Sequence, residues 1–166
     1  MKGFEEFKLI VLGCDHGGFE LKKRLSGLLD KYGYPVKDLV PVYSNPIPFV
    51  DVARKVCKEV LSNKGALGIL VCGTGAGMSI AANRIKGIHA SVLYDDFTAE
   101  YSRRHTNANV LVFGGRTMKP EDALRRIVIF LSNEFEGGKY AERNRHLDEE
   151  FRITGEESCN DGNCPR

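Results

Sequence analysis

The sequence predicts a three-layer α/β/α domain: a five-stranded parallel sheet with helices on both faces and one extra helix at the C-terminal side. Three observations carry that prediction. Short apolar runs without polar alternation recur along the chain, as in KLIVLG at 8–13, LGILV at 67–71 and NVLVF at 109–113, which is how strands buried on both faces read. Segments with apolar residues at helical spacing lie between them. Glycine-rich turns close the first, third and fifth runs, at 17–18, 73–77 and 114–115. Strands alternating with helices of this length imply right-handed crossovers and a Rossmann-like doubly wound sheet.

Taken in order, Lys8 to Gly13 is strand one, leading into Cys14-Asp15-His16-Gly17-Gly18. Phe19 to Tyr32 carries Leu21, Leu25, Leu28 and Leu29 at helical spacing, and Gly33 closes that helix at its C′ position. Tyr34 to Leu39 is a short strand two. Residues 40–48 hold three of the six prolines and form a loop. Phe49 to Leu61 is a helix with Val52, Val56 and Val60 on one face. The stretch from Ala66 to Arg84 supplies strand three, the turn and a helix through Met78, Ile80, Ala81 and Ala82. Ile88 to Leu93 is strand four, Asp96 to His105 a helix, and Asn109 to Phe113 strand five. Pro120 opens a helix running to about Phe135. Gly137-Gly138 breaks it, and Lys139 to Phe151 is a last, charged helix. The domain is expected to span 1–152, followed by a polar, disordered tail over 153–166.

Composition narrows the function. The 166 residues are 42% hydrophobic and 28% charged, with a net charge of +2. That charge is too weak to imply nucleic acid or an anionic membrane as partner. No apolar run approaches the roughly 20 residues that span a bilayer, and the first residues lack a signal-like apolar core. Five cysteines, three of them inside predicted strands or helices, fit reduced thiols rather than a disulfide framework. These features predict the cytoplasm.

In doubly wound sheets, ligands bind outside the carboxyl ends of the strands. Polar and reactive residues gather at those ends here. Strand three delivers Cys72 into a turn with glycines at 73, 75 and 77, and a helix follows. Backbone N–H groups and the positive end of a helix then point into one small volume, an anion site. A thiol beside a helix N-terminus favours the thiolate. Cys72 is therefore a candidate base or nucleophile, Thr74 a hydroxyl, and the turn a cradle for an oxyanion. Asp15-His16 follows strand one, where an imidazole can bind phosphate or move a proton. Arg116, Lys139 and Arg143 add cations that suit a phosphate ester. His105 stands at a helix end, where the alternative is a cation facing free carbonyls. The turn departs from the dinucleotide fingerprint: its third glycine comes one residue early, Met78 fills the fingerprint position, and it follows strand three. Cys159 and Cys164 are read as exposed thiols in the tail.

The runs GCDHGGF at 13–19, CGTGAGMSIAANR at 72–84, SRRH at 102–105, NANVL at 107–111 and EGGK at 136–139 resemble the ribose-5-phosphate isomerase B family, which also holds the galactose-6-phosphate isomerase subunits. The resemblance spans about residues 8–150. It implies an aldose–ketose isomerase of the pentose phosphate pathway that interconverts ribose 5-phosphate and ribulose 5-phosphate through an enediolate. Cys72 is implied as the base. The backbone of Gly73, Gly75, Gly77 and Met78 is implied as the enediolate cradle. Thr74, Asp15 and His105 are the implied ring-opening and hydroxyl-binding groups. His16, Arg116, Lys139 and Arg143 are the implied phosphate site, and Thr106 a substrate contact. One branch of the family uses an acid as base, at the position of Met78, so this chain is similar to the thiol branch. The resemblance implies no metal or organic cofactor, and a homodimer or dimer of dimers with active sites shared between subunits.

Three departures bear on the sugar. Thr106 stands where the family usually has Asn. Lys139-Tyr140 stands where it has Arg-His, giving a point charge in place of a bidentate fork. Pro48-Phe49-Val50 replaces Asp-Tyr-Pro. Two alternatives remain: an isomerase of another phosphosugar, a hexose 6-phosphate or a tetrose phosphate, and a sugar-phosphate-binding subunit that depends on a second chain.

Overall fold

The computed structural model describes residues 6–42 and 46–149. Five parallel strands form one sheet in the order β2-β1-β3-β5-β4. They are β1 (Leu9–Cys14), β2 (Val36–Asp38), β3 (Ala66–Cys72), β4 (Ala90–Val92) and β5 (Val110–Gly114). Six helices accompany them: α1 (Phe19–Lys31), α2 (Phe49–Ser62), α3 (Ala76–Ala82), α4 (Asp96–Arg104), α5 (Pro120–Ser132) and α6 (Lys139–Glu149). The expected three-layer architecture and its extra helix are both present.

The longest apolar run became the centre of the sheet. All seven residues of β3 are buried, and the strand is paired on both sides, with Ile69 opposite Leu12 of β1 and Leu111 of β5. Leu25 and Leu29 of α1, Val52 and Val56 of α2, and Ile127 and Phe130 of α5 pack the core. Helix α5 carries Pro in its first turn, as expected, and Gly33 adopts φ +76 just past α1, the left-handed conformation a C′ glycine takes without strain.

The edges differ from the sequence reading. β2 and β4 are three residues each, shorter than the apolar runs around them. Beside β4, the Asn83 side chain takes the place of a neighbouring strand: its Nδ2 donates to Ala90 O at 2.9 Å and its Oδ1 accepts from Ala90 N at 2.8 Å. That amide also explains why α3 stops at Ala82, short of the expected Arg84. Helix α5 ends at Ser132 rather than Phe135, because Asn133 turns extended and its Nδ2 donates to Ile129 O. Near β2, Lys22 is 1% exposed, and its Nζ donates to Asp38 Oδ2 at 2.7 Å and Val40 O at 2.6 Å. This pair fixes the start of the loop that leads to α2. The expected tail over 153–166, with Cys159 and Cys164, lies outside the described residues.

Candidate active site

The exits of β1, β3 and β5 stack backbone on backbone at the carboxyl pole of the sheet. Gly115 N–H donates to Cys72 O at 2.7 Å, and Arg116 N–H to Gly73 O at 3.0 Å. A Cβ on Gly18 would stand 2.2 Å from Val71 O, and one on Gly115 2.5 Å from Gly17 O. Only glycine permits this approach, so the paired glycines of the β1 and β5 exits are what let three strand ends share one floor.

Cys72 is buried at 6% exposure at the end of β3. The chain then turns through Gly75 at φ +87 into α3. Gly75 N–H donates to Cys72 Sγ at 3.2 Å, so the sulfur sits as an acceptor at the mouth of the turn. The first N–H groups of any helix lack intrahelical partners. Ala76 N–H goes to Thr74 Oγ1 at 3.4 Å, while Gly77 and Met78 N–H have no acceptor among the described residues. Both are unpaired donors. The Met78 side chain is fully buried in the core, so only its backbone can serve. The Phe49 ring at the start of α2 covers Gly77, with Cε2 3.2 Å from the place of a Gly77 Cβ.

Around this turn stand the polar residues singled out in the sequence. Asp15 Oδ1 accepts from Gly17 N–H at 2.8 Å and Gly18 N–H at 3.1 Å. Its first job is thus to shape the β1 exit, which leaves the second oxygen for a ligand. His16 and Thr74 are exposed beside the floor. The Arg116 guanidinium lies over Gly73, its Nε 3.7 Å from the place of a Cβ.

The remaining candidates lie at the other pole. Helix α4 starts behind β4 and runs back, so its C-cap, His105, reaches the amino ends of the strands. There the imidazole stacks on Tyr140 of α6, centroids 3.9 Å apart and planes 12° apart, with Tyr101 edge-on at 4.6 Å. Its Nε2 lies 3.7 Å from Glu136 Oε2. Glu136 also accepts from Arg104 Nε at 2.7 Å. Hydrogen bonds to Glu100 and then Glu136 hold the Arg104 guanidinium above even its ordinary pKa. Lys139 and Arg143 lie over the Tyr140 ring at 5.1 and 5.6 Å. The Thr106 hydroxyl donates to Ser102 O at 2.7 Å, finishing the helix end. Within one chain, then, Asp15, His16, Cys72, Gly73, Thr74, Gly75, Gly77, Met78 and Arg116 come together, and His105, Thr106, Lys139 and Arg143 form a second group. The length of β3, roughly 20 Å at about 3.3 Å per residue, separates the two.

Glu136 is a neighbour of this group that the sequence analysis gave no role, and Tyr140 one it named only as a departure from the family pattern. Their signal is the joining of α4 to the 133–138 segment and α6, seen in Glu136 N–H donating to Arg104 O at 3.0 Å. No local pattern announces it.

Such a molecule is a doubly wound α/β domain carrying a thiol, an open backbone turn and an arginine at its carboxyl pole, the layout of an enzyme for a small anionic substrate. A sequence profile of the Ribose/Galactose Isomerase family matches residues 10–147. Ribose-5-phosphate isomerase B of Escherichia coli K12 is 38% identical over 136 residues, 82% of this chain and 91% of that protein. A Listeria innocua ribose-5-P isomerase B is 35% identical over 130 residues, covering 78% and 88%. The crystal structure of a ribose 5-phosphate isomerase from Thermotoga maritima superposes with a TM-score of 0.82 at 41% identity, covering 86% of this chain and 98% of that one. The chain belongs to the Ribose/Galactose Isomerase family. Among the described residues, no helix is long and apolar enough to cross a membrane.

Proposed function

We propose that the protein interconverts ribose 5-phosphate and ribulose 5-phosphate, with Cys72 as the base. The observation that carries this reading is the Cys72 sulfur beside a turn whose Gly77 and Met78 N–H groups have no acceptor among the described residues. Isomerisation needs a base beside a preorganised oxyanion site, where each donor is worth about 2.7–4 kcal/mol. The closed sugar opens first: the C1–O4 bond breaks, His105 gives O4 a proton, and Asp15 accepts the C1 hydroxyl proton. The Cys72 thiolate then takes the C2 proton. Negative charge moves onto O1 of the enediolate, where the turn receives it, and the proton returns to C1 as O1 is released to carry the O2 proton. Thr74 holds a sugar hydroxyl. His16, Arg116, Lys139 and Arg143 hold the phosphate, orienting the reacting carbons from a distance.

This reading requires a second copy of the chain, because His105 and Cys72 lie at opposite poles. A two-fold axis across the strands would turn the amino pole of one copy onto the carboxyl pole of the other. One face suits it: the β4 side of the sheet, with Ile80, Tyr94 and Phe97 each more than 60% exposed. A groove of about 300 Å³ there runs between Val92 and Phe97 and ends at His105. A dimer with two shared sites follows, and a dimer of dimers is compatible with it. The three cysteines among the described residues, free and buried, suit the reducing cytoplasm.

Phe49 over Gly77 bears on which sugar the same chemistry takes. It puts an apolar wall beside the cradle, and a sugar other than ribose would meet it differently. The deciding assay is turnover of ribose 5-phosphate, galactose 6-phosphate and allose 6-phosphate by the purified protein and by Cys72→Ser. Turnover of the pentose alone, lost in the variant, supports the first reading. Turnover of a hexose alone replaces the substrate and keeps the base. No turnover at all points to a subunit that needs a second, related chain.

A further inference from the structure

His105 sits on a turn that is tied down from within. Arg103, the second residue before it, points its side chain into the protein and is 3% exposed. One arm of its guanidinium donates to Asn107 Oδ1 and another pairs with Glu6. Its face lies over Phe7 at 5.1 Å and Phe130 at 5.8 Å. Asn107 is the one non-glycine residue with positive φ among the described residues, at +48°. Between these two residues stand Arg104, His105 and Thr106. The backbone closes the same loop, since Asn107 N–H donates to Arg103 O at 3.3 Å and Ala108 N–H to Ser102 O at 3.0 Å. The His105 ring nitrogens make no hydrogen bond among the described residues. Its place is set by ring stacking, by the Glu136 carboxylate 3.7 Å from Nε2, and by the turn beneath it.

A purely structural need would not select a buried arginine here. Glu6, its ion-pair partner, is 59% exposed, and pairs that reach solvent contribute only about 0–1 kcal/mol. What an apolar residue cannot do is grip Glu6 and Asn107 together, and a lysine, as a point charge, cannot do it with fork geometry. We propose that Arg103, acting through Asn107, is a positioning residue for His105, fixing the left-handed turn that aims the imidazole at the ring oxygen of the sugar. It touches no substrate atom. Its contribution is confined to the ring-opening step, because the thiol and the cradle lie at the other pole. This inference rests on the isomerase reading.

The test separates the two steps. Ribulose 5-phosphate has no furanose form, so proton exchange at its C1 needs the base and the cradle but no ring step. Cys72 takes the C1 proton, the thiol exchanges with solvent deuterium, and a deuteron returns to C1. Arg103→Met and Asn107→Gly are compared with the unmodified protein for ribose 5-phosphate turnover and for deuterium entry at C1 of ribulose 5-phosphate in D₂O. Glycine adopts φ +48° freely, so Asn107→Gly folds even where Arg103→Met does not. Turnover is expected to fall about tenfold or more in both, the scale of a misplaced catalytic group, with C1 exchange within about twofold of the original. The double variant should be no slower than the worse single one, since both cut one link. Parallel loss of turnover and exchange, or no loss in Asn107→Gly, overturns the proposal. Absence of ribose 5-phosphate turnover in the unmodified protein overturns the isomerase reading instead.

Discussion

The ring of Tyr140 lies flat on the imidazole of His105, 3.9 Å away and 12° from parallel. The stack joins the end of α4 to the start of α6, and it puts Lys139 and Arg143 beside the histidine. Aromatic pairs of this kind are worth about 0.5–1.5 kcal/mol beyond their buried area. Tyr140→Phe should keep the stack and near-normal kinetics. Tyr140→Ala should lower kcat/KM by about tenfold, the upper end of that range. Steady-state kinetics on ribose 5-phosphate compares the two, and equal activity in both variants would remove the stack from the site.

Cys72→Ser keeps the shape of the turn and loses the thiolate. General-base catalysis contributes about 10²–10⁴-fold, so kcat should fall by at least the lower figure. Phosphosugar affinity, measured by calorimetry, should stay within a few-fold, because the phosphate cations are untouched. Full turnover in the variant would reassign the base.

If each active site takes Cys72 from one copy and His105 from the other, two dead variants can complement. Cys72→Ser and His105→Ala, unfolded together and refolded at equal ratio, form mixed dimers in which one site has both defects and the other none. About a quarter of all sites should then be intact. Activity near a quarter of the unmodified level is expected. None at all in a sample shown to contain mixed dimers would confine both residues to one chain.

Burial pushes the Cys14 and Cys57 thiols up to about 12 from an ordinary value of 9.0. For Cys14, Lys22 opposes that rise, and Asp38 and Asp15 add to it. The folded state therefore holds protons that the unfolded state loses above pH 9, and stability falls as pH rises from about 9 to about 12. The slope for each thiol is at most about 1.4 kcal/mol per pH unit. Urea unfolding across this range should show a shallower fall in Cys57→Ala than in the unmodified protein. Identical pH slopes would mean that the thiol ionises without unfolding.

Lys22 bridges α1 to the loop after β2 through Asp38 and Val40. Removing one partner of a buried pair costs about 3–5 kcal/mol, and with Asp38 19% exposed the lower figure applies. Urea unfolding of Lys22→Ala should show a loss of about 3 kcal/mol. A loss well below about 1 kcal/mol, the range of an exposed pair, would show that water already reaches the site.

The sheet and the carboxyl-pole half of the site were legible because their signals are local. The apolar run at 67–71 marks β3, and Cys72 with its glycines follows within six residues. Element ends were less legible. α3 ends at Ala82 beside the Asn83 amide, and α5 at the turn of Asn133, and both are side-chain choices that hydrophobic periodicity does not register. The second half of the site was named by motif, but its place was not readable. His105 and Lys139 are 34 residues apart, and nothing near either shows that they meet over Tyr140. Arg103 stands beside Arg104 in the SRRH motif, and its burial, 3% exposed, sets it apart.

The floor beneath Cys72 is almost wholly main chain, closed by glycines that leave no room for a Cβ. Such a surface has no rotamers to freeze when a sugar arrives, whereas ordering a long side chain costs about 0.5–1.5 kcal/mol each time a ligand binds. The protein settled that entropy once, when it folded. Evolution of a new sugar preference can then proceed in the side chains around it, beginning with Phe49 over Gly77, while the reaction's geometry stays as the chain's own backbone set it.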